Sequence, residues 1–158
     1  MASPEEPFLH VVLVHPEIPQ NTGSIARLTA ATRTRLHLVG PLGFSLEDRY
    51  LRRAGLDYWP LVDLRTYPGW AEFVAAHPKF KPKLFSARAK RSYLEARYQR
   101  GDFLLFGSET KGLGQTFIKL YAEFSYRIPI FESGVRSLNL ANAVSIVVYE
   151  SLRQLGVI

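Results

Sequence analysis

The chain has 158 residues, 47% of them apolar and 22% charged, with a formal net charge of +6 and no cysteine. Without cysteine there are no disulfides, thiolate nucleophiles or Cys-ligated zinc, and no window is long and apolar enough to span a bilayer. This length predicts one domain over 1–158 that buries roughly 70% of its unfolded surface. The acidic start, "MASPEEPFLHVV", has no charged-then-apolar signal pattern, so a soluble cytoplasmic protein is expected.

In chain order, "FLHVVLV" reads as a strand, "GSIARLTAAT" as a helix, "RLHLVG" as a strand and "LEDRYLRRAG" as a helix. "YWPLV" then predicts a strand, "PGWAEFVAAH" a helix, and "KLFSA" and "DFLLFG" two further strands. "GQTFIKLYAEF" predicts a helix and "YRIPIF" a last strand. The final "NLANAVSIVVYESLRQLG" has β-branched residues that favour a strand. Its Leu140, Val144, Val147, Val148, Leu152 and Leu155 nevertheless recur at helical spacing over far more than a strand's length. A buried helix is predicted, capped by Ser137 or Asn139 and stopped by Gly156. Strands separated by helices give an α/β class with a mostly parallel sheet flanked by helices.

The basic excess is concentrated. Lys79, Lys81, Lys83, Arg88, Lys90, Arg91, Arg97 and Arg100 lie in one stretch with Glu95 as the only acid, and Tyr93 and Tyr98 fall among them. Such a stretch suits a phosphate backbone with bases to stack; a solvated face with snorkelling lysines is the alternative.

Several chemistries are excluded. The four histidines lack metal-ligand spacing, and His10 and His37 fall inside strands as core or edge residues. There is no Gly-x-Ser-x-Gly elbow. The first strand-to-helix turn, "HPEIPQNTGS", lacks the glycines of a dinucleotide fold. Gly107 to Gly112 has phosphate-loop spacing, but Leu113 stands where the lysine is required.

Three polar loops remain, each after a predicted strand: "PEIPQNTGSIAR", "GSETKGLG" and "IPIFESGVRSLNLANA". In open parallel sheets, ligands bind where such loops converge beyond the carboxyl ends of the strands. Taken singly, the glycines could be turn residues, Asn21 and Ser137 helix caps, and Arg27 a surface arginine.

"PEIPQNTGSIARL", "LRRAGLDY", "FGSETKGL", "RIPI" and "RSLNLANAVSIVVYE" together resemble the SpoU-like (SPOUT) RNA 2'-O-ribose methyltransferases. Within them, the match is to the tRNA branch that modifies a wobble cytidine or uridine, and it covers nearly the whole chain. The resemblance implies S-adenosylmethionine as donor with no metal, a tRNA anticodon stem-loop as substrate, a homodimer and a C-terminal trefoil knot. It implies Arg27, Asn21, Glu109 and Asn139 as catalytic positions. Ala87, Gly107, Ile128, Ser137 and Leu138 are then the donor-binding positions. Arg27 would act as a phosphate clamp or as the general base. Arginine is a poor base while protonated, with a pKa above about 12.

Some positions depart from the family pattern. Arg33 replaces a usual glycine, Ser108 and Gly114 replace usual prolines, and "LFSARAKRS" lacks the usual threonine-and-glycine loop. Two rivals stand beside this reading: a non-catalytic RNA-binding or ribosome-assembly protein on the same scaffold, and a small-molecule methyltransferase.

Overall fold

The computed structural model describes residues 6–55 and 58–158, so the first residues of the acidic start and Leu56 and Asp57 of "LRRAGLDY" lie outside the described residues. Seven strands form one sheet: β1 (Leu9–Val14), β2 (Thr34–Val39), β3 (Leu64–Tyr67), β4 (Pro82–Phe85), β5 (Arg91–Ser92), β6 (Phe103–Phe106) and β7 (Ser125–Arg127). Their order is β3-β2-β1-β6-β4-β7-β5 and every pairing is parallel. The helices are α1 (Pro19–Ala31), α2 (Arg49–Gly55), α3 (Trp70–Ala76), α4 (Gly114–Leu120) and α5 (Leu140–Leu155). No helix among the described residues is long and apolar enough to cross a membrane.

The continuous apolar run of β1 has a direct physical cause. Successive side chains point to opposite faces, and here both faces are covered. Leu9, Val11 and Leu13 pack with Ile25 of α1 and with Val144, Val147, Val148 and Leu152 of α5. Val12 and Val14 pack on the other face with Phe73 of α3 and with Leu105, Leu113 and Phe117. The helical spacing read in α5 is thus the stripe that buries against the sheet. Asn139, not Ser137, caps this helix by accepting the Asn142 N–H at 3.1 Å, and Gly156 ends it at φ 74°.

Three elements differ from the sequence prediction. "YWPLV" forms a 3-10 turn, Trp59–Leu61, and the strand begins at Leu64. Pro60 lacks the N–H a strand ladder needs. The true edge strand, "LRTY", is half-exposed and carries no apolar alternation. "YRIPIF" is a strand only as far as Arg127, ahead of Pro129. The short outer strand Arg91–Ser92 lies in the basic stretch, where composition masked it. In addition, α1 starts at Pro19, ahead of the predicted Gly23, with proline in its first turn, where a missing N–H costs nothing.

The strand histidines are core residues. His10 Nδ1 meets His37 Nε2 at 2.8 Å, His37 Nδ1 meets the Tyr67 hydroxyl at 2.9 Å, and that hydroxyl meets His77 Nε2 at 2.9 Å. Phe103 stacks on His10 at 4.1 Å between centroids. Burial, helped by the Arg35 guanidinium, lowers His10 to about 4; burial and the neighbouring His10 lower His37 to about 2. Both folded values lie below the unfolded value near 6.5, so the unfolded chain takes up protons first as pH falls. Stability is therefore full above about pH 6.5 and declines below it, by about 2 kcal/mol per histidine between pH 7.5 and 5. Urea denaturation at the two pH values checks this, and equal unfolding free energies would contradict it.

Candidate active site

The carboxyl ends of four adjacent strands are level. Leu13 of β1 is in register with Phe106 of β6, Phe106 with Phe85 of β4, and Phe85 with Tyr126 of β7. The loops that leave these ends must therefore meet. They enclose a cleft of about 510 Å³ whose lining includes Ala87 after β4, Gly107 after β6, Ile128 after β7, and Ser137 and Leu138 before α5. All five expected donor-site residues thus come together, from segments far apart in sequence. Phe85, Phe106, Ile130 and Leu140 add apolar walls, and Arg88, Lys111 and Arg136 add positive charge. The volume suits a small-molecule ligand, and so does this mixture of apolar wall and backbone polar groups.

Asn21, Glu109 and Asn139 also line the cleft, and they form one hydrogen-bonded chain. Ile18, the residue ahead of helix α1, has no side-chain oxygen to cap it. Glu109 reaches this helix start from the other loop. Its Oε1 accepts the Glu17 N–H at 2.8 Å, and its Oε2 accepts the Ile18 N–H at 2.8 Å and Asn21 Nδ2 at 3.2 Å. A carboxylate there also meets the positive end of the helix dipole. Asn139 Nδ2 donates to Asn21 Oδ1 at 3.1 Å, which ties the start of α5 to α1.

A second glutamate answers the first. Glu17 Oε1 accepts the Thr110 N–H at 3.1 Å and the Thr110 hydroxyl at 2.7 Å, and these bonds hold its carboxyl below the usual range. The loops after β1 and β6 are therefore clasped reciprocally, each by the other's glutamate. Sequence reasoning missed Glu17 and Thr110. The one available signal was an acidic residue held between two prolines in "PEIP".

Gly107 serves a purpose the sequence did not suggest. A Cβ on it would overlap the Gly112 carbonyl group and the Leu113 nitrogen. The loop between folds back, with Gly112 N–H donating to the Ser108 carbonyl at 2.9 Å and Gly112 at φ 62°. The G-x-x-x-x-G spacing is thus the signature of loop closure, and the bare Cα is needed by the protein's own backbone.

Arg27 is not part of the cleft lining. It sits on α1 past Asn21, roughly 9 Å along the axis, exposed, with its Nη2 donating to the Tyr58 hydroxyl at 3.2 Å. The cleft and Arg27 are therefore two neighbouring regions joined by one helix.

The basic stretch divides in the structure. Lys83 forms a largely buried ion pair with Asp102 at 2.6 Å, Arg91 lies over the Tyr126 ring, and Arg100 lies over Phe8. Tyr98 is buried and donates to the Tyr93 carbonyl at 2.7 Å, so it offers no ring to a base. Lys79, Lys81, Arg88, Lys90, Arg91, Arg97 and Arg100 remain exposed.

The SpoU rRNA Methylase family model matches residues 8–149. A relative from Escherichia coli (strain K12), named tRNA (cytidine(34)-2'-O)-methyltransferase, is 44% identical over 94% of this chain and 95% of its own. A solved structure described as giving structural insights into the 2-OH methylation of C/U34 on tRNA is 49% identical. It superposes with a TM-score of 0.85 over 95% of this chain and 92% of that one. The SpoU methyltransferase AviRb from Streptomyces viridochromogenes, solved in complex with the cofactor AdoMet, is 26% identical. Its TM-score is 0.75 over 96% of this chain and 59% of that one.

Proposed function

Because this chain belongs to the SpoU methylase family, we propose that it is a tRNA methyltransferase acting on the ribose 2'-hydroxyl of the wobble cytidine or uridine. The observation that carries this reading is the convergence of Ala87, Gly107, Ile128, Ser137 and Leu138 on one cleft. These residues would hold S-adenosylmethionine, whose sulfonium supplies an electrophilic methyl group. The fit is chemical: apolar side chains suit an adenine, while backbone amides and the Ser137 hydroxyl suit an amino-acid tail. No metal enters the reading.

The chain's own work is then placement. Glu109, Asn21 and Asn139 hold the loops and the starts of α1 and α5 in mutual register, so the cleft is preformed. With its oxygens engaged by amides, Glu109 acts as a positioning group. Arg27 clamps a phosphate beside the target nucleotide and stabilises the developing negative charge on the 2'-oxygen as its proton passes to solvent water. Holding two reactants in line can supply roughly 7–11 kcal/mol of a barrier.

The same reading takes residues 1–158 as one domain, with the stretch from β6 to α5 threaded as a trefoil knot, in a cytoplasmic homodimer. Support for the dimer is α5, which leaves Ile146 and Tyr149 exposed on its outer side. A catalytically idle RNA-binding protein would leave the preformed cleft without a purpose.

Incubation with S-adenosylmethionine and an anticodon stem-loop RNA, then nuclease digestion and mass spectrometry, tests the reading. A 2'-O-methyl group at nucleotide 34 is expected; methyl on a base, or none, overturns it. RNA affinity should also depend steeply on salt. The Arg88→Ala, Lys90→Ala double variant should flatten the log–log slope by about 0.7–0.9 for each phosphate that is no longer neutralised. An unchanged slope would return those residues to a merely solvated face.

A further inference from the structure

Beyond the cleft, α1, α2 and the turn after α2 carry three arginines laid over aromatic rings. Arg27 lies 4.6 Å from the Tyr58 centroid, Arg49 lies 4.9 Å from Tyr50, and Arg52 lies 5.2 Å from Trp59. Arg49 Nη2 also donates to the Tyr50 hydroxyl at 3.0 Å, as Arg27 does to Tyr58. Tyr50 and Tyr58 keep 42% and 37% of their surface in solvent. Trp59, in contrast, packs partly into the core.

The choice of partner has a consequence for charge. A carboxylate would orient a guanidinium but neutralise it. A phenol ring orients it by stacking and by one hydrogen bond, and leaves the positive charge for an incoming anion. Among the described residues, neither Arg27 nor Arg49 has a carboxylate partner, and Arg52 has only an exposed ion pair with Glu47 at 3.7 Å. Planar cations interleaved with exposed rings suit single-stranded nucleic acid, where phosphates alternate with bases that stack. A rigid duplex offers phosphates but no free base faces.

We propose that this arginine–aromatic face receives the single-stranded loop of the RNA substrate, and that Tyr58 is the positioning residue that holds Arg27 for it. The proposal rests on the methyltransferase reading for the identity of the RNA. It adds residues of α1, α2 and the turn after α2 to the exposed basic residues between Lys79 and Arg100. It also gives Arg27 a reason to stand outside the cleft: the arginine belongs to the RNA face, and α1 carries that face up to the donor site.

Binding of the full-length protein to a labelled anticodon stem-loop and to a duplex of equal length, by fluorescence anisotropy, tests this. Donor titration and thermal midpoint serve as controls. Tyr58→Ala should weaken stem-loop binding about tenfold or more and leave duplex binding, donor binding and the midpoint unchanged. Tyr58→Phe, which keeps the ring and loses the hydroxyl, should restore most of the affinity while turnover stays reduced. Arg49→Ala should flatten the stem-loop salt slope by about 0.7. Wild-type stem-loop affinity in Tyr58→Ala overturns the proposal while the methyltransferase reading stands. Conversion of the variant to a monomer in sedimentation also overturns it, because the face would then meet a second copy. A wild-type protein that binds no RNA removes the reading beneath and the proposal together.

Discussion

Arg27→Lys is expected to slow methyl transfer at least a hundredfold while donor affinity stays at the wild-type value. Lysine keeps the charge but loses the planar fork that grips a phosphate through two hydrogen bonds, and it stacks less well on Tyr58. Removing one well-placed electrostatic donor elsewhere costs about 2.7–4 kcal/mol of transition-state stabilisation, which sets the magnitude. The donor site should be indifferent because Arg27 does not line the cleft. Single-turnover transfer of labelled methyl, run beside calorimetry with S-adenosylhomocysteine, separates the two effects. Wild-type turnover would reduce Arg27 to a surface residue.

Glu109→Gln is expected to weaken the donor at least tenfold and to lower turnover with it. The carboxylate accepts from Glu17 N–H, Ile18 N–H and Asn21 Nδ2, and it has no donor of its own. A glutamine must set its NH2 against one of these donors, whichever way the amide turns. Turning the Asn21 amide to compensate moves the conflict to Asn139, whose Oδ1 is already engaged by the Asn142 N–H. The disturbance therefore reaches the cap of α5 and the Ser137–Leu138 wall of the cleft. Part-exposed hydrogen bonds to a charged group support a stability loss of about 2–3 kcal/mol. Unchanged donor heats would show that the clasp does not shape the cleft. Gly107→Val is less informative, since its side chain collides with the loop's own backbone before any ligand is involved.

Much of this architecture was legible because it depends on local pattern. The buried runs of β1 and β6 and the helical stripe of α5 are periodicities that a packed sheet imposes. The three polar loops were legible as exits from strands. Their meeting is a matter of strand order: β1, β6, β4 and β7 are neighbours in the sheet but not in the chain, and no local pattern encodes that. The edge strand Leu64–Tyr67 was missed because a half-exposed edge needs no apolar alternation. The basic stretch misled in part, because composition cannot distinguish Lys83, buried against Asp102, from the exposed Lys90. Glu17, Thr110 and Tyr58 had no spacing to betray them. Their roles come from hydrogen bonds spanning 31 to 93 residues of sequence.

The acceptor atom is the centre of the account, and one substrate pair isolates it. Two anticodon stem-loops are prepared, identical except that one carries a 2'-deoxy sugar at nucleotide 34. Each is incubated with the wild-type protein and S-adenosylmethionine labelled in the methyl group. The ribose substrate should take up label, and the deoxy substrate should bind with similar affinity and take up none. Equal labelling of the two would contradict the account, because the methyl group would then be going to an atom other than the 2'-oxygen of that nucleotide.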